Sequence, residues 1–389
     1  MTKLTDININ QLAGYSFQCA CGKQHSVDIK KITIGADIYR ELPMILEDFR
    51  GKKIFIIADQ NTYGIYGEKV HNHLRMEKYS VVLHVFKTEG ALVPNEYALG
   101  RLLVEMDKEI GMLIAVGSGT INDLSRMISS KLGIPYIIVG TAPSMDGYAS
   151  TVSPLIIDGF KKTYEAVYPY AIFADTEVLK AAPKEMLCAG FGDILGKLTA
   201  LSDWRLSRQI NKEYYCETCV EMVELAIKKC IDNASGIAAR DPKAIGYLME
   251  ALILSGVVMG MVGNSRPASG AEHHLSHYWE IDALAKGEEH PLHGNSVGVG
   301  TVIISRIYEK IQNKLSLDFE VPTAEYVIEQ LKNAGSIYDP KTLGIKREVF
   351  RDSVIHAKEI RPRYTVLQLS QDEGILESTA EELTEMYYG

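Results

Sequence analysis

Met112-Leu-Ile-Ala-Val116 runs without a break into Gly117-Ser118-Gly119-Thr120-Ile121-Asn122-Asp123. A short apolar run, a glycine-rich turn and a helical pattern in that order read as the strand, loop and helix of a βαβ unit. Small residues in the loop let the backbone approach a ligand, and the helix start offers N–H groups to an anion, which is the physics of a pyrophosphate cradle. The spacing is not G-x-G-x-x-G, and a plain strand–helix turn has the same composition, so the stretch speaks more firmly for the fold than for the ligand.

Working outward, Lys53–Ala58, Val81–Phe86 and Tyr136–Val139 repeat the strand signal, with helical patterns over Glu96–Met106 and Ile121–Lys131 between strands. Alternation of this kind predicts a parallel sheet that binds ligands at the carboxyl ends of its strands. After Pro183 strand signals are scarce. Helical patterns cover Lys184–Ser207, Tyr214–Asn233, Pro242–Val262, Ser269–Leu284 and Ser296–Lys314. The expected architecture is an α/β Rossmann-like N-terminal domain over 1–180, with 1–35 as an N-terminal hairpin region, and an all-α C-terminal domain over 181–389.

With 389 residues, two domains are expected. The net charge of −9 argues against a nucleic-acid or anionic-membrane surface. The start Met1-Thr-Lys-Leu-Thr-Asp lacks a signal-peptide core, and the apolar run Ala251–Val262 is short for a membrane span and reads as a buried helix. Six cysteines in a chain of this size do not form a disulfide framework, so a cytoplasmic location is expected. Cys19-Ala-Cys21 with His25 offers only three local donors, short of a closed zinc site, and reads as a β-hairpin turning at Cys21-Gly22-Lys23. Cys216 and Cys219 read as core cysteines.

Five of the ten histidines fall between His273 and His293. His273 and His277 share a helix face, while His274 points elsewhere. Upstream, Asp193 in Gly192-Asp-Ile-Leu-Gly196-Lys197 sits in an apolar helical run, where a carboxylate needs a cation. Asp193, His273 and His293 would make three metal ligands with one open position, against the alternative of satisfied core and surface histidines. The loop Gly140–Ser150 brings hydroxyls and Asp146 to a strand end. Asp59, at another strand end, is placed to accept bonds from an adenosine ribose.

Gly117-Ser-Gly-Thr-Ile-Asn-Asp123, Thr141-Ala-Pro-Ser-Met-Asp-Gly-Tyr-Ala-Ser150, Phe191-Gly-Asp193, Gly270-Ala-Glu-His-His-Leu-Ser-His277 and His293-Gly-Asn-Ser-Val-Gly298 resemble, in this order, the family of iron-type alcohol dehydrogenases, glycerol dehydrogenases and dehydroquinate synthases. The 141–150 segment points to its phosphate-handling branch. The resemblance implies an active site in an interdomain cleft. It implies NAD(H) or NADP(H) held by Asp59, Gly117, Ser118, Gly119, Thr120, Thr141, Ser144 and Ser150, and one divalent metal (zinc, nickel or iron) on Asp193, His273 and His293. Asp146 and His277 then face the substrate, with Lys197, one turn after Asp193, and Arg266, just before the histidine helix, as candidate cations for its phosphate and Lys161 and Lys162 as alternatives for cofactor phosphates. The implied reaction is reversible reduction of dihydroxyacetone phosphate to sn-glycerol 1-phosphate, with Asp193, His273, His277 and His293 as its catalytic set. A plain glycerol dehydrogenase and a lyase using NAD transiently are the alternatives. His274 and His290 take no role beyond support or surface, and a homodimer is expected.

Overall fold

The computed structural model describes residues 8–312 and 317–389, so the expected helix end at Lys314 lies outside the described residues. Two compact units divide them. One holds the described residues through Phe17, Gln24–Pro183 and Arg240–Gly260; the other holds Gln18–Lys23, Lys184–Ala239 and Met261–Gly389.

The described strands are β1 Ser16–Gln18, β2 Gln24–Ser26, β3 Lys31–Gly35, β4 Lys53–Asp59, β5 Ser80–Phe86, β6 Ile110–Gly117, β7 Tyr136–Gly140, β8 Val152–Ile157, β9 Phe160–Glu165 and β10 Ala171–Asp175. Six form one sheet in the order β3-β10-β7-β6-β4-β5, and every pairing in it is parallel. The inner strands are apolar along their length because helices cover both faces of a parallel sheet. Register sets Ala58 beside Val116 and Gly117 beside Gly140, so Asp59, the glycine loop and Thr141 share the carboxyl edge. The helix after the loop spans Gly119–Leu132 and ends at Gly133 in the left-handed region, the usual glycine stop.

Sequence reading did not anticipate β3, β10 or the β8–β9 hairpin. The hairpin carries a readable signal: its turn is Asp158-Gly159, both at positive φ, as a two-residue turn between right-twisted strands requires.

Pro242–Val262, expected in the C-terminal domain, forms one helix of 21 residues, and the segment Arg240–Gly260, which holds most of it, groups with the sheet. The reason is close packing: a Cβ at Gly246 would touch Thr176 and Ile34, and one at Gly256 would press on the Ala149 and Asp146 backbone. Leu248, Met249, Leu252, Ile253, Val257 and Val258 are buried. The helix is longer than its apolar run suggests, and it is the one described helix long and apolar enough to cross a membrane, although most of it is buried within the protein.

The second unit is helical. The aspartate helix Lys184–Asn211, the histidine helix Ala271–Lys286 and the glycine helix His293–Gln312 pack together. Leu275, Trp279, Val299, Ile303, Phe350 and Leu383 belong to its core. A Cβ at Gly192 would overlap the Gly294 carbonyl, and one at Gly294 would overlap Ala189. The aspartate and glycine helices therefore cross at backbone contact, and that crossing delivers Asp193 to His293.

Candidate functional site

Asp193, His273 and His293 each point one ligand atom into a common space, with all three atoms within 4.8 Å of one another. Asp193 is fully buried and His273 nearly so. His273 Nε2 lies 3.6 Å from Asp193 Oδ1. Two imidazoles and one carboxylate form a donor set suited to a borderline divalent ion, and three protein ligands leave a position open. The residues present thus fit the expected metal.

Two neighbours orient the rings. Glu272, fully buried, takes a hydrogen bond from Gly270 N–H at 2.6 Å and one from Thr199 Oγ1 at 2.8 Å, and lies 2.7 Å from His273 Nδ1. With Nδ1 engaged by a carboxylate, Nε2 is the nitrogen turned to Asp193, the carboxylate–histidine arrangement typical of metal ligands. Ser276 Oγ lies 3.3 Å from His293 Nδ1 and plays the same part more weakly. Sequence reading quoted Glu272 within its motif and gave it no role.

The charges agree with this picture. Burial works to raise the Asp193 carboxyl, but Lys197 first, then His273 and His293, hold it well below the usual carboxylate range. Burial pushes His273 down, but the Asp193 and Glu272 carboxylates outweigh it and hold the ring above the ordinary histidine value. His274 is fully buried rather than on the surface, and desolvation drives it down to about 3, so it is neutral. His290 is on the exposed side, 3.9 Å from Glu280.

Lys197 Nζ bonds to Asp193 Oδ1, with both side chains out of water. Arg266 is buried and forks onto Glu213 through Nε at 2.8 Å and Nη2 at 2.6 Å, with Nη1 on the Tyr364 carbonyl. The two cations chosen from sequence are thus both engaged with carboxylates. Sequence reading missed Arg361 and Arg363. Arg361 lies 3.4 Å from His277 Nε2 and from Ser265 Oγ; Arg363 donates to Ser265 Oγ at 2.8 Å and to the Ser269 carbonyl at 3.1 Å. Among the described residues, neither has a carboxylate partner. Burial lowers both guanidiniums, Arg363 to about 10 with Arg361 and Arg266 adding to the effect. The run Arg361-Pro-Arg363 could have flagged them, but it stands 84 residues from His277.

In the first unit, the cofactor candidates gather at the carboxyl edge of the sheet. A Cβ at Gly117 would collide with Ile121, so only glycine lets the strand turn into the helix there. Ser118, at the helix cap, makes no side-chain cap bond, which leaves the helix start facing outward as an anion site needs. Thr120 lies in the first turn. Thr141 N–H bonds to the Gly117 carbonyl at 3.0 Å, which ties the two loops together. Ser144 N–H bonds to the Ala142 carbonyl, and Ser150 Oγ meets the backbone of Val152. Asp59 caps the short helix after β4, accepting from the N–H groups of Asn61 and Thr62 at 2.8 Å. Asp146 accepts from Ser255 Oγ at 2.9 Å. Lys161 stands on β9 and interacts electrostatically with the half-buried Asp123, while Lys162 is exposed. The edge fits a dinucleotide.

The family model of iron-containing alcohol dehydrogenases matches residues 33–183. Over 309 residues the chain is 41% identical to a glycerol-1-phosphate dehydrogenase (NAD(P)+) of Halalkalibacterium halodurans, covering 79% of this chain and 77% of that one. The enzyme of the same name from Geobacillus stearothermophilus is 34% identical, with 92% and 96% covered. That from Thermococcus kodakarensis is 36% identical, with 81% and 84% covered. Among solved structures, glycerol dehydrogenase from Schizosaccharomyces pombe has a TM-score of 0.67 at 18% identity, covering 91% of this chain and 90% of that one. Sulfoacetaldehyde reductase from Bifidobacterium kashiwanohense, in complex with NAD+, has a TM-score of 0.69 at 16% identity, with 92% and 98% covered. These two likenesses concern the fold.

Proposed function

The chain belongs to the glycerol-1-phosphate dehydrogenase family, and from that premise we propose that it carries out the metal-dependent, NAD(P)H-linked, reversible reduction of dihydroxyacetone phosphate to sn-glycerol 1-phosphate. One observation carries the choice of a phosphorylated substrate. Two half-buried guanidiniums, without carboxylate partners among the described residues, stand beside the histidine cluster, and one of them reaches His277. Desolvated cations of this kind are costly unless an anion arrives, and a planar fork suits phosphate.

Asp193, His273 and His293 would hold the divalent ion, which supplies Lewis-acid polarisation of a carbonyl or hydroxyl oxygen when bound. The glycine loop with Ser118, Gly119 and Thr120 would take the pyrophosphate of NAD(P), the source and sink of hydride. Asp59, Thr141, Ser144 and Ser150 would line the same cofactor, and Asp146 the substrate. Glu272 keeps His273 in one tautomer and one orientation. Arg361 and Arg363 would bind the substrate phosphate, with Arg266 fixed behind them by Glu213; Lys197 sets the charge of Asp193. His277 is the group placed to hold and move a proton. Its Nε2 faces Arg361, which can only donate, and its Nδ1 lies 3.8 Å from Glu280, so Nε2 is the basic nitrogen that would take a proton from the substrate hydroxyl and return it in the reverse direction. We place the enzyme in the cytoplasm, as its six thiols suit, and as a two-fold homodimer, the commonest assembly.

The test is NADH oxidation with dihydroxyacetone phosphate and with unphosphorylated dihydroxyacetone, on metal-loaded and chelator-treated enzyme. Turnover of the phosphate ester, lost on chelation, is expected. Equal turnover of the neutral ketone would replace this reading with a glycerol dehydrogenase, and no net NADH consumption would point to a lyase.

A further inference from the structure

The N-terminal hairpin carries Cys19, Cys21 and His25, one donor short of a closed metal site. The fold supplies the fourth from far along the chain. Cys216 Sγ lies 3.7 Å from Cys19 Sγ across 197 residues. Cys21, Cys19 and Cys216 hold their sulfurs within 4.8 Å of one another. Tetrahedral zinc with bonds of about 2.3 Å to sulfur sets its sulfurs about 3.8 Å apart. A disulfide needs about 2.05 Å, so the observed spacing is that of ligands rather than of a covalent pair.

The hairpin is shaped for the purpose. Cys19 N–H bonds to the Lys23 carbonyl at 3.0 Å, and Gly22 N–H bonds to the Cys19 carbonyl at 3.1 Å. Gly22 sits at φ 89°, a conformation that favours glycine. This knuckle turns both cysteine side chains one way. The tip meets its surroundings in the second unit through Lys23, 3.6 Å over the Tyr214 ring, and through Cys21 Sγ, 3.2 Å from Tyr214 Oη. Cys216 stands at the N-cap of the helix Glu217–Ile231. His25, on the returning strand, is 1% exposed and packs its ring 5.4 Å from Phe17.

We propose that Cys19, Cys21, His25 and Cys216 form a structural site for a soft divalent cation of the zinc type, separate in its residues from the Asp193 centre. Three sulfurs and one imidazole select such an ion over magnesium or calcium, and four protein ligands leave no position for substrate. Its task is to fasten the tip Gln18–Lys23 to the segment entering the helix Glu217–Ile231. Strands of three residues do not hold a hairpin by themselves in water, and a cation cross-link would.

The experiment measures zinc in the full-length protein, with the catalytic ligands removed by His273→Ala and His293→Ala so that only the second site counts. About one equivalent per chain is expected to remain. Adding Cys21→Ser or Cys216→Ser should abolish it, whereas Cys188→Ser and Cys230→Ser should leave it. Cobalt loaded into the site should show a thiolate-to-cobalt charge-transfer band that Cys21→Ser removes. Should the cysteine variants fail to fold, a mercurial titration of the His273/His293 double variant still decides: zinc should be released as thiols are consumed. Zinc absent from the double variant, zinc retained by Cys21→Ser, or a Cys19–Cys216 disulfide trapped in freshly isolated protein would each overturn the site. Loss of zinc in Cys219→Ser with retention in His25→Ala would overturn the ligand set, since Cys219 neighbours Cys216.

Discussion

Lys197 and Arg266 differ from Arg361 and Arg363 in one respect that decides their chemistry. The first two are buried against carboxylates, Asp193 and Glu213. The other two are half-buried, and their partners among the described residues are hydroxyl, carbonyl and imidazole groups. A compensated cation stabilises the fold or tunes its partner. An uncompensated one is a standing cost that a ligand can relieve. Closeness to a motif in sequence identified the first pair; the charge balance of the folded unit identifies the second.

The sharpest way to break this contrast is Lys197→Met. It takes the lysine charge from a fully buried carboxylate and leaves the His273 and His293 rings beside it, so the metal-free protein should lose about 3–5 kcal/mol in chemical denaturation. Unchanged stability with a raised KM for the phosphate ester would make Lys197 a substrate ligand. Next, Arg361→Ala with Arg363→Ala removes two charge-assisted contacts. It should lower kcat/KM for dihydroxyacetone phosphate by about 10²–10³-fold while sparing the unphosphorylated ketone. An equal loss for both substrates would return the arginines to a structural role. A smaller effect is expected from Glu272→Gln, which loosens His273: metal affinity, read by competition with a chelator, should fall about 10–100-fold.

The gentlest prediction concerns an acid that mirrors the uncompensated arginines. Asp203 is fully buried and accepts from Ala271 N–H, Val366 N–H and Tyr308 Oη, with no cation on it among the described residues. Burial and then the Glu272 charge push its carboxyl up to about 7. An acid raised in the folded state holds its proton there after the unfolded chain has lost it. Its contribution to stability is therefore present below about pH 4 and declines as pH rises to about 7. Asp203→Asn should flatten that decline in a series of thermal unfolding curves, and an unchanged slope would assign it elsewhere.

Much of the first unit was readable because a covered parallel strand is a continuous apolar run, as in β4, β6 and β7. β3 and β10 are no shorter than β7, but β3 interleaves Lys31 and Thr33 with its isoleucines and half of the apolar run in β10 is alanine, so neither stands out as β7 does. The Asp158-Gly159 turn, by contrast, is a local signal that the sequence does carry. In the second unit, helical spacing put His273 and His277 on one face. The Asp193–His293 meeting depends on a helix crossing that glycines permit and no local pattern announces.

Local periodicity and residue type, which act over one or two turns, determined from sequence the α/β and helical halves, the glycine loop and the histidine-rich helix. Tertiary structure alone decided which cations are compensated, which nitrogen of His273 meets Asp193, and that Cys216 lies against the Cys19 hairpin. Each of these rests on side chains brought together across tens to hundreds of residues, where packing and burial, rather than spacing along the chain, set the neighbours.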